Sequence, residues 1–181
     1  MERTLIRLAD NRELKIFMDP VRQSVLRAMA LLGAPVTAKR LADELGIQPA
    51  SAKYHLGRLQ SIGLVAPDHT EQIHGITAKY YRLVPADVSL GLDEPSRREE
   101  RAAVAGRLLS SVVQSCLNAI SAPSAAPDAG DVYTGVVHLT KQQLDEFLAS
   151  AARFTRENEA ARPGAAPYEF ALAYYSAGAR K

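Results

Sequence analysis

The stretch TAKRLADELGIQPASAKYHLGRLQSIGLV, residues 37–65, decides the fold. Thr37 is a typical helix N-cap, and Gly46 is a residue type at which helices commonly end. Pro49 favours the start of a second helix after a short connection, because proline suits the first helical turn. The apolar residues of both segments can pack the two helices at a steep angle, which predicts a helix-turn-helix: Leu41, Leu45, Ile47, Ala52, Leu56 and Leu59.

The second helix of this pair carries a polar face between its apolar positions. A short polar helix with two positive charges fits the major groove of DNA, where its N-terminal side chains can reach base edges. An ordinary helical hairpin with a solvated face is the alternative, and the strand hairpin predicted directly after the helix disfavours it. The predicted outward residues are Gln48, Ala50, Ser51, Lys53, Tyr54, His55 and Arg58.

Two further helices are predicted upstream. Residues 10–18 have the pattern of a short helix, and Asp19-Pro20 begins a longer one, with Asp19 as N-cap and Pro20 at the first helical position. Arg22 lies at the start of that helix, where free backbone N–H groups favour a phosphate. We therefore include Arg22 among the candidate DNA-binding residues.

A hairpin of two strands is predicted over residues 64–84, directly after the helix-turn-helix. Lys79 and Arg82 lie on its returning strand and suit DNA phosphates, which supply salt-dependent affinity without reading sequence. His69 and His74 near the tip are open between simple solvent exposure and DNA contact.

Three stretches resemble the winged-helix regulators of the ArsR type: DPVRQSVLRAM at 19–29, TAKRLADELGIQPASAKYHLGRL at 37–59, and the hairpin ending AKYYRLV at 78–84. The resemblance covers about residues 10–84. It implies that the second helix of the pair reads bases and that the hairpin, called the wing, lies along the flanking backbone or minor groove. The same family pattern offers Arg22 a second role, in which it holds structure through a carboxylate, and both roles stay open.

Many regulators of this type bind metal through a cysteine pair in the first helix of the motif, and TAKRLADELG at 37–46 contains no cysteine. The single cysteine, Cys116, lies on an apolar helical stripe and fits a buried structural thiol. The four histidines show no close spacing typical of zinc ligands. We therefore expect no metal and no other cofactor, with a composite site between two subunits as the remaining alternative.

The second half predicts a long helix and then a small β-α-β unit. The helix, from 96 to about 120, carries an apolar stripe that begins at Val104. Residues 131–139 and 168–176 are rich in β-branched and aromatic residues and predict two strands, on either side of a helix that Thr140 caps. The aromatic residues of these strands are interpreted as core rather than as an effector pocket: Tyr133, Tyr168, Phe170, Tyr174 and Tyr175.

The predicted fold class is α+β, with three regions. Residues 1–84 form the winged helix-turn-helix, residues 85–130 a linker and long dimerisation helix, and residues 131–181 the β-α-β unit, a candidate effector or dimerisation module. Residues 1–84 hold 12 Lys and Arg against 8 Asp and Glu, whereas residues 85–181 hold 10 against 12. The positive charge therefore lies with the predicted DNA-binding half.

Several classes of protein are disfavoured. No glycine-rich phosphate loop, nucleophile elbow or catalytic carboxylate pair is evident, so we do not expect an enzyme. One cysteine allows no intrachain disulfide, which fits a reducing cytoplasm. No secretory signal is evident and no stretch approaches the length of a membrane span, so we expect no membrane partner.

These features predict a sequence-specific, DNA-binding transcriptional regulator. A single winged helix reads only a short half-site, so we expect a homodimer, held by the N-terminal helix and the 96–120 helix, on a near-palindromic operator. A repressor is the preferred prediction, with an activator as the alternative, and a small-molecule effector of unknown identity is an open prediction. The alternative is a winged-helix module that binds a protein partner without DNA; Lys53 and Arg58 weigh against it.

Overall fold

The computed structural model describes residues 4–8, 10–73, 75–89, 97–123 and 130–176. The chain divides into two compact units. Unit 1 comprises residues 1–98 and 160–163, and unit 2 comprises residues 99–159 and 164–181. The predictions made for His74 and for two parts of the region 85–130, residues 90–96 and 124–129, lie outside the described residues.

In the described part of unit 1, four helices form the body, each at a position that the sequence predicts. They are α1 (Asn11–Phe17), α2 (Pro20–Leu32), α3 (Ala38–Leu45) and α4 (Pro49–Gln60).

Local hydrogen bonds explain where these helices begin and end. The Asp19 carboxylate accepts a hydrogen bond from the backbone N–H of Arg22 at 3.1 Å, and the Thr37 hydroxyl accepts one from Arg40 N–H at 3.1 Å. Gly33 and Gly46 close α2 and α3 with φ of 60° and 64°. This left-handed conformation costs glycine little, so the chain can turn sharply from α3 into α4.

The wing follows α4 as an antiparallel hairpin. Strands β3 (Val65–Ile73) and β4 (Ile76–Leu83) pair along their length, with a register shift between Pro67 and Thr70. The two-residue strand β2 (Val36–Thr37) pairs with β4 from the other side, giving the order β2-β4-β3. The root of the wing is thereby tied to the start of α3.

A second, two-stranded sheet was not predicted. Strand β1 (Thr4–Arg7) pairs in parallel with β5 (Ala86–Ser89). Each strand is only four residues long and its partner lies far away in sequence, so local periodicity gives little sign of it. Because β5 follows the wing, unit 1 extends beyond residue 84, the boundary expected from the sequence.

The core of unit 1 lies where α2, α3 and α4 meet the root of the wing. Burying a leucine or valine side chain here contributes about 1.5–3 kcal/mol. The same apolar face that predicts the helix-turn-helix therefore holds α4 in place. The most deeply buried residues of the core of unit 1 are Leu8, Val25, Leu41, Ala52, Leu56, Leu59 and Val65, each 1% exposed or less.

The described residues of unit 2 form two helices, α5 (Arg98–Ser121) and α6 (Lys141–Glu157). Helix α6 begins at the predicted capping box, in which Thr140 and Gln143 each bond the other's backbone N–H. None of the residues of α6 is buried, although its apolar positions recur at helical spacing.

The two strands predicted in unit 2 are not formed. Residues 131–139 and 168–176 are irregular and exposed, and neither segment has a strand partner within the described residues. A strand is stabilised by hydrogen bonds to a neighbouring strand, and β-branched composition alone does not supply them. The prediction that their aromatic residues form a core is therefore wrong for the single chain. Exposure is 99% for Tyr133, 77% for Tyr168, 60% for Phe170, 59% for Tyr174 and 86% for Tyr175.

The expectation that no stretch approaches the length of a membrane span is wrong for helix α5, which by length and composition alone could cross a membrane over residues Glu99–Ser121. Its sides differ, however. Arg107, Gln114 and Asn118, spaced by seven and four residues, share one side and are exposed. A helix with one polar side suits a protein interface better than an environment of lipid.

Candidate nucleic-acid interface

Helix α4 is fixed by its buried side and offers its remaining surface to solvent. Ala52, Leu56 and Leu59 are fully buried against the core. Gln48 precedes the helix without capping it through its side chain, and Gln48, Lys53 and Tyr54 are exposed. A rigid, packed helix with exposed polar residues is the element that this fold presents to a DNA groove.

The two cations of α4 lie on different sides of the helix. Each residue advances about 100° around the axis, so Lys53 and Arg58 are about 140° apart. The side of α4 toward α1 carries Ser51, Tyr54 and Arg58, which are spaced by three and four residues. Lys53 lies on the other side. The sequence predicts a single polar face, and the structure divides it around the exposed Tyr54 ring, which is 60% accessible.

His55 is less outward than predicted. The residue is partly buried, and its Nδ1 atom is buried without a hydrogen-bond partner among the described residues. Its ring meets Tyr54 edge-on, with centroids 5.3 Å apart. His55 therefore lies at the border between the core and the polar face.

Arg22 is occupied by structural contacts. It is 8% exposed, and its Nε donates to the Ile16 carbonyl at 2.5 Å. Its terminal nitrogen donates to the Lys15 carbonyl at 3.2 Å and pairs with the Asp19 carboxylate at 3.2 Å. Of the two roles left open by the sequence, these contacts favour the structural one, in which Arg22 joins the end of α1 to the start of α2.

The cations of the wing are exposed but partnered. The Lys79 ammonium lies 5.4 Å from the centroid of the Tyr81 ring. The Arg82 Nε lies 3.5 Å from the Asp68 carboxylate, which also contacts His69 at 2.7 Å. A phosphate would compete with this carboxylate for Arg82.

Acidic residues make the wing less positive than its cations alone suggest. Asp68 and Glu71 balance Lys79 and Arg82 over β3 and β4. Tyr80 stacks on His69 at 4.3 Å and donates a hydrogen bond to Glu71 at 3.0 Å. This hydrogen bond favours the neutral phenol, and so it raises the pKa of Tyr80 above its usual value.

A cleft between α1 and α4 adds to the candidate DNA-binding site cations that the sequence alone did not single out. It has a volume of about 480 Å³ and is lined by Asn11, Arg12, Lys15, Ile16, Arg22, Tyr54 and Arg58. Among the described residues that line the cleft, none is a carboxylate. The charges of Arg12 and Lys15 are plain in the sequence, but the placement of α1 beside α4 depends on tertiary packing.

No metal site is evident in the described parts of the chain, where no group of three or more His, Cys, Asp and Glu could hold an ion. Cys116 is a partly buried free thiol on α5.

The order of helices, the packed polar helix α4 and the hairpin after it define a winged helix-turn-helix domain. Residues 17–68 match the family model described as a helix-turn-helix domain. The predicted winged helix-turn-helix is therefore confirmed. No curated protein matches the sequence significantly.

Several solved structures are similar to this chain. One is the homodimeric winged helix-turn-helix DNA-binding domain Mb0332 from Mycobacterium bovis, described as a possible ArsR-family transcriptional regulator; it is 21% identical, over 57% of this chain and 76% of that one, with a TM-score of 0.35. The transcriptional repressor BigR from Xylella fastidiosa is 20% identical, over 54% and 81%, with a TM-score of 0.31. ZitR from Lactococcus lactis is 16% identical, over 76% and 83%, with a TM-score of 0.29.

Proposed function

We propose that this protein is a sequence-specific, DNA-binding transcriptional regulator that acts as a homodimeric repressor on a near-palindromic operator. One observation carries the proposal. Helix α4 is held by a fully buried apolar side, and its remaining surface carries the exposed Lys53 and Tyr54 and the partly exposed Arg58. Neither cation forms an ion pair with another described residue. Both are therefore available to a polyanion.

Reading a sequence requires contacts to base edges as well as to phosphates. Gln48 and Ser51 lie at the N-terminal end of α4, the end that enters the groove in helix-turn-helix proteins. An amide can bond adenine with two hydrogen bonds and a hydroxyl can bond several bases. We assign base reading to this end of the helix and phosphate contact to Lys53 and Arg58, with Lys79 and Arg82 on the wing.

The homodimer is supported by the apolar side of α5. Val113, Leu117 and Ile120 are 54%, 48% and 43% exposed, and together they form a continuous stripe on one side of the helix. Contiguous apolar surface of this kind is typical of protein interfaces. In the proposed dimer, α5 of a second copy of the chain covers the stripe, and α4 of that copy is the second recognition helix, one DNA turn or ~34 Å away.

The test is binding of fluorescent duplexes selected from a randomised pool. The variant Lys53→Gln with Arg58→Gln should weaken binding to every duplex and flatten the dependence of affinity on salt, by about 0.9 in slope for each phosphate that is no longer neutralised. Arg153→Gln with Arg156→Gln is the matched control, because it removes the same charge from exposed positions on α6.

Three outcomes bear on the proposal. Selection should yield a consensus with two inverted half-sites. If the double variant on α4 binds as the control does at every salt concentration, the assignment of α4 is wrong. If the parent protein binds no duplex at all, the protein-binding alternative replaces the proposed function.

A further inference from the structure

The described residues that line the cleft between α1 and α4 include three cations besides Arg22 and no carboxylate. Arg12 and Lys15 are spaced by three residues, so they share one side of α1. Arg58 faces them from α4. None of these three cations forms an ion pair with another described residue. Cations brought together in this way repel one another, and an anion between them relieves the repulsion.

The cleft is held in place by hydrogen bonds that are buried or partly buried. Arg22 at its floor bonds the carbonyls of Lys15 and Ile16, and Gln23 donates to the Phe17 carbonyl at 2.5 Å. The charge of Arg22 is met by Asp19. The last turn of α1 is therefore fixed on the start of α2, and the side chains of Arg12 and Lys15 extend from a rigid support.

We propose that this cleft binds a phosphate group of the DNA backbone, so that Arg12 and Lys15 are DNA-contacting residues. The inference rests on the proposed DNA binding and extends it from α4 and the wing to α1. The exposed Tyr54 and the partly exposed Arg58 belong both to the polar surface of α4 and to the cleft. A strand whose bases meet α4 therefore carries its phosphates toward the cleft.

The shape of the cleft favours a backbone phosphate over a free phosphate compound. Sites for small molecules usually enclose most of the ligand and are lined mainly by apolar residues. This cleft is open, and its lining is dominated by cationic and polar side chains. Such a surface suits one group of a long polyanion whose other groups are held elsewhere.

The experiment measures anisotropy of a random-sequence duplex of about 30 base pairs at several salt concentrations, because phosphate contacts do not depend on sequence. Arg12→Gln with Lys15→Gln should lower the salt slope by about one for each protomer bound. The charge-conserving variant Arg12→Lys with Lys15→Arg should retain the parental slope. Arg153→Gln with Arg156→Gln controls for net charge, and circular dichroism confirms folding.

The outcomes separate this inference from the proposed function. If the parent binds duplex DNA and the Arg12, Lys15 variant matches the α6 control, the cleft does not contact DNA, while the proposed function stands. If the parent binds no duplex, both are overturned. Calorimetric titration with inorganic phosphate tests the other source. Phosphate binding that the variant loses, with an unchanged duplex slope, would assign the cleft to a free phosphate ligand instead.

Discussion

The two units of this chain differ in how far their apolar side chains are buried. In unit 1, Val25, Leu56 and Leu59 are fully buried, and α2, α3 and α4 cover one another. In unit 2, Val136 is 81% exposed and Phe154 is 67% exposed. A periodic apolar pattern predicts that an element has a side to bury, but it does not identify the covering surface. The elements of unit 1 bury one another's apolar surface, whereas unit 2 leaves an exposed apolar surface that suits a partner.

The largest expected effect is on the free energy of unfolding, and it tests whether the apolar side chains of unit 1 are more buried than those of unit 2. Leu56→Ala should lower the free energy of unfolding by about 2–5 kcal/mol, because it leaves a cavity in a fully packed core. Leu117→Ala removes the same atoms from a side chain that is 48% exposed. Its cost should be smaller at low protein concentration and should rise with concentration if a second copy covers Leu117. Chemical denaturation at two concentrations measures both.

An equal, concentration-independent loss of stability for the two leucine variants would contradict the comparison. It would show that Leu117 belongs to a core within one chain, and unit 2 would then be a second self-sufficient domain.

The next largest effect is on operator affinity, and it tests whether the partner of α5 is a second copy of the chain. Placing two negative charges on the apolar stripe, with Leu109→Glu and Val113→Glu, should give a folded monomer whose operator affinity falls at least about tenfold, or 1.4 kcal/mol. The decrease follows because a single recognition helix contacts too little DNA for typical operator affinity. Ser111→Glu with Gln114→Glu is the matched control on exposed positions of the polar side of α5. Sedimentation and circular dichroism distinguish dissociation from unfolding.

Two results would count against a homodimer. One is a parent protein that sediments as a monomer at micromolar concentration yet binds its operator tightly. The other is a parent that partitions into lipid vesicles through α5, in which case the stripe serves a membrane.

The sequence predicts a structural feature well when that feature depends on residues close together in the chain. Asp19, Thr37 and Thr140 cap helices as expected, because a cap needs only a side chain and a nearby N–H group. Gly33 and Gly46 end α2 and α3 for an equally local reason. The helix-turn-helix and its wing could therefore be predicted from the residues alone.

The failures concern contacts between distant parts of the chain. The pairing of β1 with β5 joins segments about 80 residues apart, and the predicted strands at 131–139 and 168–176 lack any described partner. In the candidate site, Lys53 and Arg58 could be chosen from composition and spacing. The pairing of Arg82 with Asp68 and the approach of Arg12 to α4 could not, because both depend on packing.

The smallest expected effect concerns Cys116, the cysteine on α5. The Cys116 side chain is only partly buried, and its Sγ lies 3.5 Å from the position that a Cβ on Gly130 would occupy. Cys116→Ser should therefore cost less than about 1 kcal/mol of stability, since a serine fills nearly the same space at a partly solvated position.

The same variant tests the expectation that no metal is needed. A transition metal is held by several converging ligands, usually four for zinc, and the described residues bring no such group together around Cys116. Duplex affinity with and without added zinc should be equal for the parent and for Cys116→Ser. Both proteins are dialysed against a chelator and their metal content is measured by mass spectrometry. A stoichiometric metal that the parent retains and the variant does not would place a metal site on α5, and it would make unit 2 a sensor as well as an interface.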